Sequence, residues 1–225
     1  MRTRLLLPLI VFVSITVRAD RILFVASNAT DQITTLFTMN ADGSDIQRVY
    51  TNAIRAWSPD LTGGHLTNAE IVFTDVTRPA SNIFVVPLTG GAPVCLNNTN
   101  KANAARFHGP ATLYYLRFIS ASGYQVWTIN RDGTGERRVF SDAYSTFSIG
   151  THSFSLHTTN IYLCSFSGGS QVFRGATNAA TAASMVITTN RAGDRYNPSV
   201  SPDGLSIAYT VDGGTGDHRV VISPN

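Results

Sequence analysis

The sequence predicts an all-β protein, a β-propeller of about five four-stranded blades, and two observations carry this prediction. Short runs rich in β-branched and aromatic residues recur along the chain. They fall into series that share a period of about 45 residues, which is the length of one propeller blade. A β-sandwich would also space its strands evenly, but a period common to every series favours the propeller.

The series keep a constant order along each repeated unit. The first consists of ILFVAS, IVFTDV, LYYLRF, IYLCSF and SIAYTV, at residues 22–27, 71–76, 113–118, 161–166 and 206–211. The second begins at Leu36, Ile83, Val126, Val172 and Val220. The third covers residues 46–51, 92–97, 136–141 and 184–189. The fourth precedes the first within each unit, is assigned to the innermost strand, and covers residues 56–60, 105–110, 153–157 and 198–204.

The first unit lacks an innermost run and the last lacks an outermost run, so the units hold three, four, four, four and three strands, 18 altogether. We therefore expect an incompletely closed propeller with open edges, where strands of other chains pair readily. The joints agree with this order. Asp42-Gly43, Gly90-Gly91 and Asp132-Gly133 fall between the second and third series, where a tight hairpin needs residues that tolerate positive φ.

Several strings resemble the TolB-type, WD-like propeller repeat. They are LFTMNADGSDIQRVYT, AWSPD followed by IVFTD, VWTINRDGTGERRVF and NPSVSPDGLSIAYT, and the resemblance extends over about residues 21–225. It implies a TolB-like propeller, and it implies a role like that of the TolB propeller, which works with a peptidoglycan-associated lipoprotein in the cell envelope. Because a repeat identifies architecture better than function, the possible activities need separate examination.

The amino terminus has the pattern of a secretory signal peptide. Arg2 and Arg4 precede an apolar run over residues 5–17, and a small residue, Ala19, ends the segment. We expect residues 1–19 to be a signal peptide and residues 20–225 to form the propeller domain, in the periplasm or secreted. The alternative is an uncleaved membrane anchor, although the apolar run is short for a membrane span.

Removal of this segment changes the charge of the chain. Three of the 17 basic residues lie in residues 1–19, which leaves 14 basic and 14 acidic side chains and no net charge. Lys101 is the only lysine. The sequence thus gives no electrostatic reason to expect binding to nucleic acid or to anionic lipid.

Export would place both cysteines in an oxidising compartment, where they could pair. Cys95 and Cys164 lie in strand-like runs of units that are not adjacent, so their Cα atoms should be too far apart for a disulfide. We expect two buried free thiols, with a disulfide as the alternative.

Few residues suggest catalysis. TolB-like propellers also precede the hydrolase domain of prolyl-oligopeptidase-type peptidases, but the chain has no Gly-x-Ser-x-Gly elbow. Oligogalacturonate lyases have similar repeats and histidines around a central metal. His108 and His157 lie in innermost runs and could approach the channel, although hydrogen bonding to loop backbone is the interpretation we favour.

Two further motifs have a structural and a functional interpretation. NADGSD and NRDGTGE resemble calcium loops but lack the full alternation of oxygen ligands, and the hairpins need Asp-Gly in any case. Asn97-Asn98-Thr99 is a glycosylation sequon. Trp57 and Trp127 are assigned to the blade core rather than to sugar platforms.

The sequence thus favours an exported, non-enzymatic protein-binding or scaffold module over a carbohydrate-active enzyme with a channel metal. We assign binding to channel-facing turns around Asp60, His108 and Asp203, and we expect no catalytic residue, cofactor or metal. The expected partner is a protein of the cell envelope, without nucleic acid and without a membrane span after signal cleavage. Open blade edges offer a route to self-association.

Overall fold

The structure is a computed structural model that describes residues 21–27, 33–54, 56–61, 69–77, 80–97, 101–120, 123–139, 154–165, 171–176, 185–186, 194–201, 203–212 and 218–225. The signal-peptide prediction for residues 1–19 lies outside this part of the chain. None of the described residues forms a helix long and apolar enough to cross a membrane.

The described strands form separate antiparallel sheets, each of which is one blade. Blade 1 contains β1 (Arg21–Ser27), β2 (Ile33–Asn40) and β3 (Gln47–Ile54). Blade 2 contains β4 (Ala56–Leu61), β5 (Glu70–Thr77), β6 (Ala80–Pro87) and β7 (Val94–Cys95). Blade 3 contains β8 (Ala102–His108), β9 (Thr112–Ser120), β10 (Gly123–Asn130) and β11 (Arg137–Arg138). Blade 4 contains β12 (Phe154–His157), β13 (Asn160–Ser165), β14 (Gln171–Ala176) and β15 (Met185–Val186), and blade 5 contains β16 (Asp194–Val200), β17 (Ser206–Asp212) and β18 (His218–Pro224).

The strand count confirms the sequence prediction, since the sheets hold three, four, four, four and three strands. The outermost strands of blades 2 to 4 are shorter than predicted, with two residues each. In blade 2 a side chain replaces the ladder. The Leu96 backbone N–H donates to the Ile83 carbonyl. At the next residue, the Asn97 carboxamide oxygen accepts a hydrogen bond from the Ile83 backbone N–H at 3.0 Å.

The core consists of layers between blades. Period-2 alternation gives each sheet two apolar sides, and we call the side that faces the following blade the forward face and the opposite side the backward face. Between blades 1 and 2 the buried layer contains Leu36, Val49, Ile71, Phe73 and Val86. Comparable layers join blades 2 and 3, blades 3 and 4, and blades 4 and 5. Each blade is therefore stabilised by its neighbours.

Two hairpin glycines do more than permit positive φ. Gly90 and Gly133 have φ of +88° and +83°, as the sequence led us to expect. A Cβ on Gly90 would lie 3.2 Å from the Val49 carbonyl oxygen, and one on Gly133 would lie 2.9 Å from the Leu96 carbonyl oxygen. Because Val49 and Leu96 belong to the outermost segments of the preceding blades, these hairpins also dock one blade against the next.

The propeller is an open arc in the described part of the chain. No described strand pairs with the inner edge of β1 or the outer edge of β18, and no sheet joins blade 5 to blade 1. This agrees with the prediction of incomplete closure.

Candidate functional site

One end of the arc carries the polar turns that the sequence singles out. Strands of a blade alternate in direction, so the turn from the first to the second strand and the turn from the third to the fourth emerge at the same end. We call this end the turn face, and its best-described parts are residues 109–111, 131–133 and 203–205. His108 is the last residue of β8, and Asp203 lies in the turn from β16 to β17.

Asp203 organises its own turn. Its Oδ1 accepts hydrogen bonds from the Ser201 hydroxyl at 2.5 Å and from the Leu205 backbone N–H at 3.0 Å. The Ser201 hydroxyl oxygen in turn accepts the Ser206 N–H at 3.0 Å. The hydrogen bond from the Ser201 hydroxyl is the main cause that lowers the pKa of Asp203 below its ordinary value, and the bond from the Leu205 amide is the second. This carboxylate is a capping group, as Ser-Pro-Asp-Gly suggests.

His157 joins this turn from the neighbouring blade. It is the last residue of β12, and its ring packs so closely on the turn that a Cβ on Gly204 would lie 2.3 Å from its Cε1. Gly204 also has φ of +74°, so both its backbone conformation and the close His157 ring favour glycine at this position. An imidazole and the Asp203 carboxylate thus lie near each other where blades 4 and 5 meet. The position of His157 at the end of an innermost run was the only sequence signal for this arrangement.

The other two candidate residues are placed differently. The His108 ring meets the Tyr114 ring of the same blade edge-on, with centroids 5.2 Å apart. Asp60 does not lie in a turn, because it pairs with Val72 inside β4. The strand register makes Asp60 the counterpart of Ser199, which pairs with Ala208, and not of Asp203. The side chain of Asp60 lies outside the described residues.

The Asp-Gly hairpins follow the same capping chemistry. Asp42 Oδ1 accepts the Ser44 N–H at 2.9 Å and the Ser44 hydroxyl at 2.6 Å. Asp132 Oδ1 accepts the Thr134 N–H at 2.9 Å and the Thr134 hydroxyl at 2.7 Å. In each case the hydroxyl, then the amide, lower the pKa of the aspartate. Among the described residues, no three His, Cys, Asp or Glu side chains gather in a metal-binding arrangement.

An ion pair and a shallow depression lie beside the blade 3 hairpin. The Arg131 guanidinium donates two hydrogen bonds to the Glu70 carboxylate, which belongs to the first residue of β5 in blade 2. The depression has a volume of about 590 Å³ and is lined by Pro110, Ala111, Asn130, Arg131 and Asp132. It is wide open to solvent, so it offers a surface for contact rather than an enclosed substrate pocket.

A partly buried polar cluster between blades 2 and 3 was not predicted. The Tyr115 hydroxyl donates to the Glu136 carboxylate, which also receives a hydrogen bond from Asn97 Nδ2 at 3.4 Å and lies 3.7 Å from the Arg117 guanidinium. Burial is the main cause that raises the pKa of the Tyr115 phenol, and the hydrogen bond to the Glu136 carboxylate raises it further. Asn97, read as part of a sequon, is buried and structural. The Arg117 guanidinium stacks on Trp127 at 4.3 Å, and Trp127 packs on the core as expected.

The expectation for Cys95 is confirmed in part. Cys95 forms no disulfide, as expected, but it is exposed on the outermost strand of blade 2 and not buried. Its Sγ lies 3.0 Å from the Asn97 carbonyl oxygen, and partial burial raises its pKa. Cys164 lies on β13 in blade 4, and its side chain is outside the described residues.

Comparison with solved structures identifies the fold. TolB from Acinetobacter baumannii superposes with a TM-score of 0.74 over 91% of this chain, at 16% identity, and the chain spans 50% of that protein. The β-propeller domain of the Trilobed protease from Pyrococcus furiosus, described as having an open velcro topology, gives 0.56 at 12% identity over 91% of this chain and 78% of that one. The chain therefore has a TolB-type β-propeller fold.

An enzyme also shares the architecture. An oligogalacturonate lyase in complex with manganese superposes with a TM-score of 0.53 at 13% identity, over 87% of this chain and 63% of the lyase. No family model matches the sequence, and no curated protein matches it either.

Proposed function

We propose that this chain is an exported, non-enzymatic protein-binding module of the cell envelope or the extracellular space, which presents its turn face to a protein partner. The proposal rests mainly on how the charged groups of this face are used. In Asp42, Asp132 and Asp203, one carboxylate oxygen accepts hydrogen bonds from a hydroxyl and an amide of its own turn. Such groups shape a rigid polar surface and leave little basicity for proton transfer.

The pKa directions support binding over catalysis. General acids and bases work best when their pKa lies near the operating pH. Wherever the structure clearly shifts the pKa of a described group, it shifts it away from neutrality: downward for Asp42, Asp45, Asp132 and Asp203, and upward for Cys95, Tyr115 and Tyr124. Turn hydrogen bonds lower the pKa of Asp42, Asp132 and Asp203, the Arg21 side chain lowers that of Asp45, and burial raises that of Cys95 and the two tyrosines, so structural contacts account for these directions.

The turn face also offers an apolar contact. Leu205, at the tip of the Asp203 turn, is 70% exposed, and its backbone is held by two hydrogen bonds: its N–H donates to Asp203, and its carbonyl accepts the Asn225 N–H. An exposed leucine beside hydrogen-bonded polar groups suits the centre of a protein interface with a polar rim.

The test is cross-linking of the tagged protein in its host cells, followed by affinity capture and mass spectrometry. We expect one envelope protein in near-stoichiometric amount with the native chain. Leu205→Glu should lose it, whereas Val94→Glu, which changes an exposed residue on the outermost strand of blade 2, should retain it. Equal capture by both variants would show that the turn face is not the binding surface.

A carbohydrate-active enzyme is the second candidate, favoured by the proximity of His157 to the Asp203 turn and by the likeness to the lyase fold. Metal analysis of protein purified without chelators, with an elimination assay on oligogalacturonate, distinguishes the two. A stoichiometric transition metal and activity, both lost in His157→Ala, would replace the binding proposal.

A further inference from the structure

Both ends of the arc expose apolar faces whose counterparts are buried in the other described blades. The repeat makes this comparison quantitative, because strand register defines equivalent positions in every blade. Val220 in β18 pairs with Thr210 in β17. At the same register position in the other blades stand Leu36, Ile83, Val126 and Val172, each of which pairs with the equivalent residue of the preceding strand.

The forward face of blade 5 departs from the other four. Leu36, Ile83, Val126 and Val172 are at most 1% exposed because the next blade covers them. Val220 is 76% exposed. Two residues further along, Thr38, Val85 and Thr128 in blades 1 to 3 are at most 4% exposed and Arg174 in blade 4 is partly buried, whereas Ile222 is 72% exposed. In blade 5, Val220 and Ile222 thus occupy positions that contact the following blade in the other units.

The backward face of blade 1 shows the complementary departure. Ile22 is 41% exposed, although its counterparts Ile71, Leu113, Ile161 and Ile207 are fully buried against the preceding blade. Beside Ile22, Phe24 and Phe37 stack with ring centroids 5.4 Å apart. Their counterparts in blade 2, Phe73 and Phe84, form the same stacked pair at 5.6 Å, and there the forward face of blade 1 covers it.

The two exposed faces therefore match each other. In the interior of the arc, a face of the blade 5 type always packs on a face of the blade 1 type, and four such layers are already formed. Within one chain these two faces are both open to solvent. Two different, complementary surfaces on one molecule produce heterologous, head-to-tail contacts between copies.

We propose that copies of this chain associate head to tail, with the Val220–Ile222 face of blade 5 in one copy covering the Ile22–Phe24 face of blade 1 in the next. The contact repeats the internal layer between blades, and so it buries side chains rather than pairing strand edges. It does not depend on the proposed function, because neither face belongs to the turn face.

Sedimentation velocity of the purified protein over a wide range of concentration tests the proposal. The sedimentation coefficient should rise with concentration for the native chain. Val220→Asp and Ile22→Asp should each abolish the rise, because each removes one of the two faces. Val94→Asp, at an exposed position on neither face, should leave the rise intact.

A mixture of the two interface variants gives the sharpest result. Each variant keeps one intact face, and the two intact faces are complementary, so the mixture should form a dimer and nothing larger. A native chain that stays monomeric, because its ring closes within one molecule or another blade covers the faces, would overturn the proposal. Assembly that survives both substitutions, or a mixture that stays monomeric, would overturn it as well.

Discussion

The hydrogen bond from Tyr115 to Glu136, which lies within blade 3, should stabilise the fold measurably. Tyr115 is fully buried, and a hydrogen bond to a charged group contributes about 1.5–3 kcal/mol. Asn97 and Arg117 remain beside the carboxylate after the hydroxyl is lost, so we expect Tyr115→Phe to cost about 1.5 kcal/mol, at the lower end of that range. The measurement is urea unfolding followed by tryptophan fluorescence at neutral pH.

The same variant should alter the dependence of stability on pH. The pKa of Tyr115 is raised in the folded chain, so above about pH 10 the unfolded chain releases this proton while the folded chain keeps it. The contribution of Tyr115 is therefore complete below pH 10 and falls by about 1.4 kcal/mol per pH unit above it. Tyr115→Phe lacks this loss, so the difference in unfolding free energy between the two proteins should shrink by about 1.4 kcal/mol at pH 11.

A neighbouring tyrosine supplies the control. Tyr114 is also buried, but it lies on the forward face of the same strand, away from Glu136. If Tyr114→Phe gave the same loss at neutral pH and the same change above pH 10, the bond between Tyr115 and Glu136 would not be the cause.

Three further substitutions test the turns. Asp203→Asn should flatten the acid limb of thermal stability, because a lowered carboxylate pKa stabilises the fold above the ordinary value of 3.8 and loses that effect as pH falls through the folded value. Gly204→Ala should cost about 1–2 kcal/mol for its left-handed backbone, plus the cost of the clash with His157. In denaturant melts, adding His157→Ala should restore only the part of the unfolding free energy that the clash removes. Gly133→Ala should cost about 1–2 kcal/mol for its left-handed backbone plus a clash with the backbone carbonyl of Leu96. No side-chain truncation should rescue this clash.

The fold could be predicted from the sequence because the propeller repeats its local chemistry. Hairpin glycines and alternating apolar strands recur with one period, so each unit supports the interpretation of the others. The outermost strands were overestimated because Asn97 ends one of them through its side chain, a contact between residues 14 positions apart that periodicity cannot reveal.

The candidate site was predicted less well, for two physical reasons. Asp60 and Asp203 share the string Ser-Pro-Asp, but the string occupies different positions in the two blades. In blade 2 it lies inside β4, where Asp60 pairs with Val72, whereas in blade 5 it follows β16, which ends at Val200. The cluster around Glu136 joins residues from two blades, and only folding brings them together. The contact of His157 with the Gly204 turn could not be predicted for the same reason, because this turn lies in the following blade.

The layered core has a consequence for how the molecule opens. Each apolar layer joins only two adjacent blades, so stability is transmitted between nearest neighbours, as in solenoid proteins. Blade 3 is covered on both faces by neighbours that are themselves covered, whereas blades 1 and 5 each have one bare face. Amide protons should therefore exchange fastest in β1 and β18 and slowest in β9, so that the chain frays from both ends toward its middle blade.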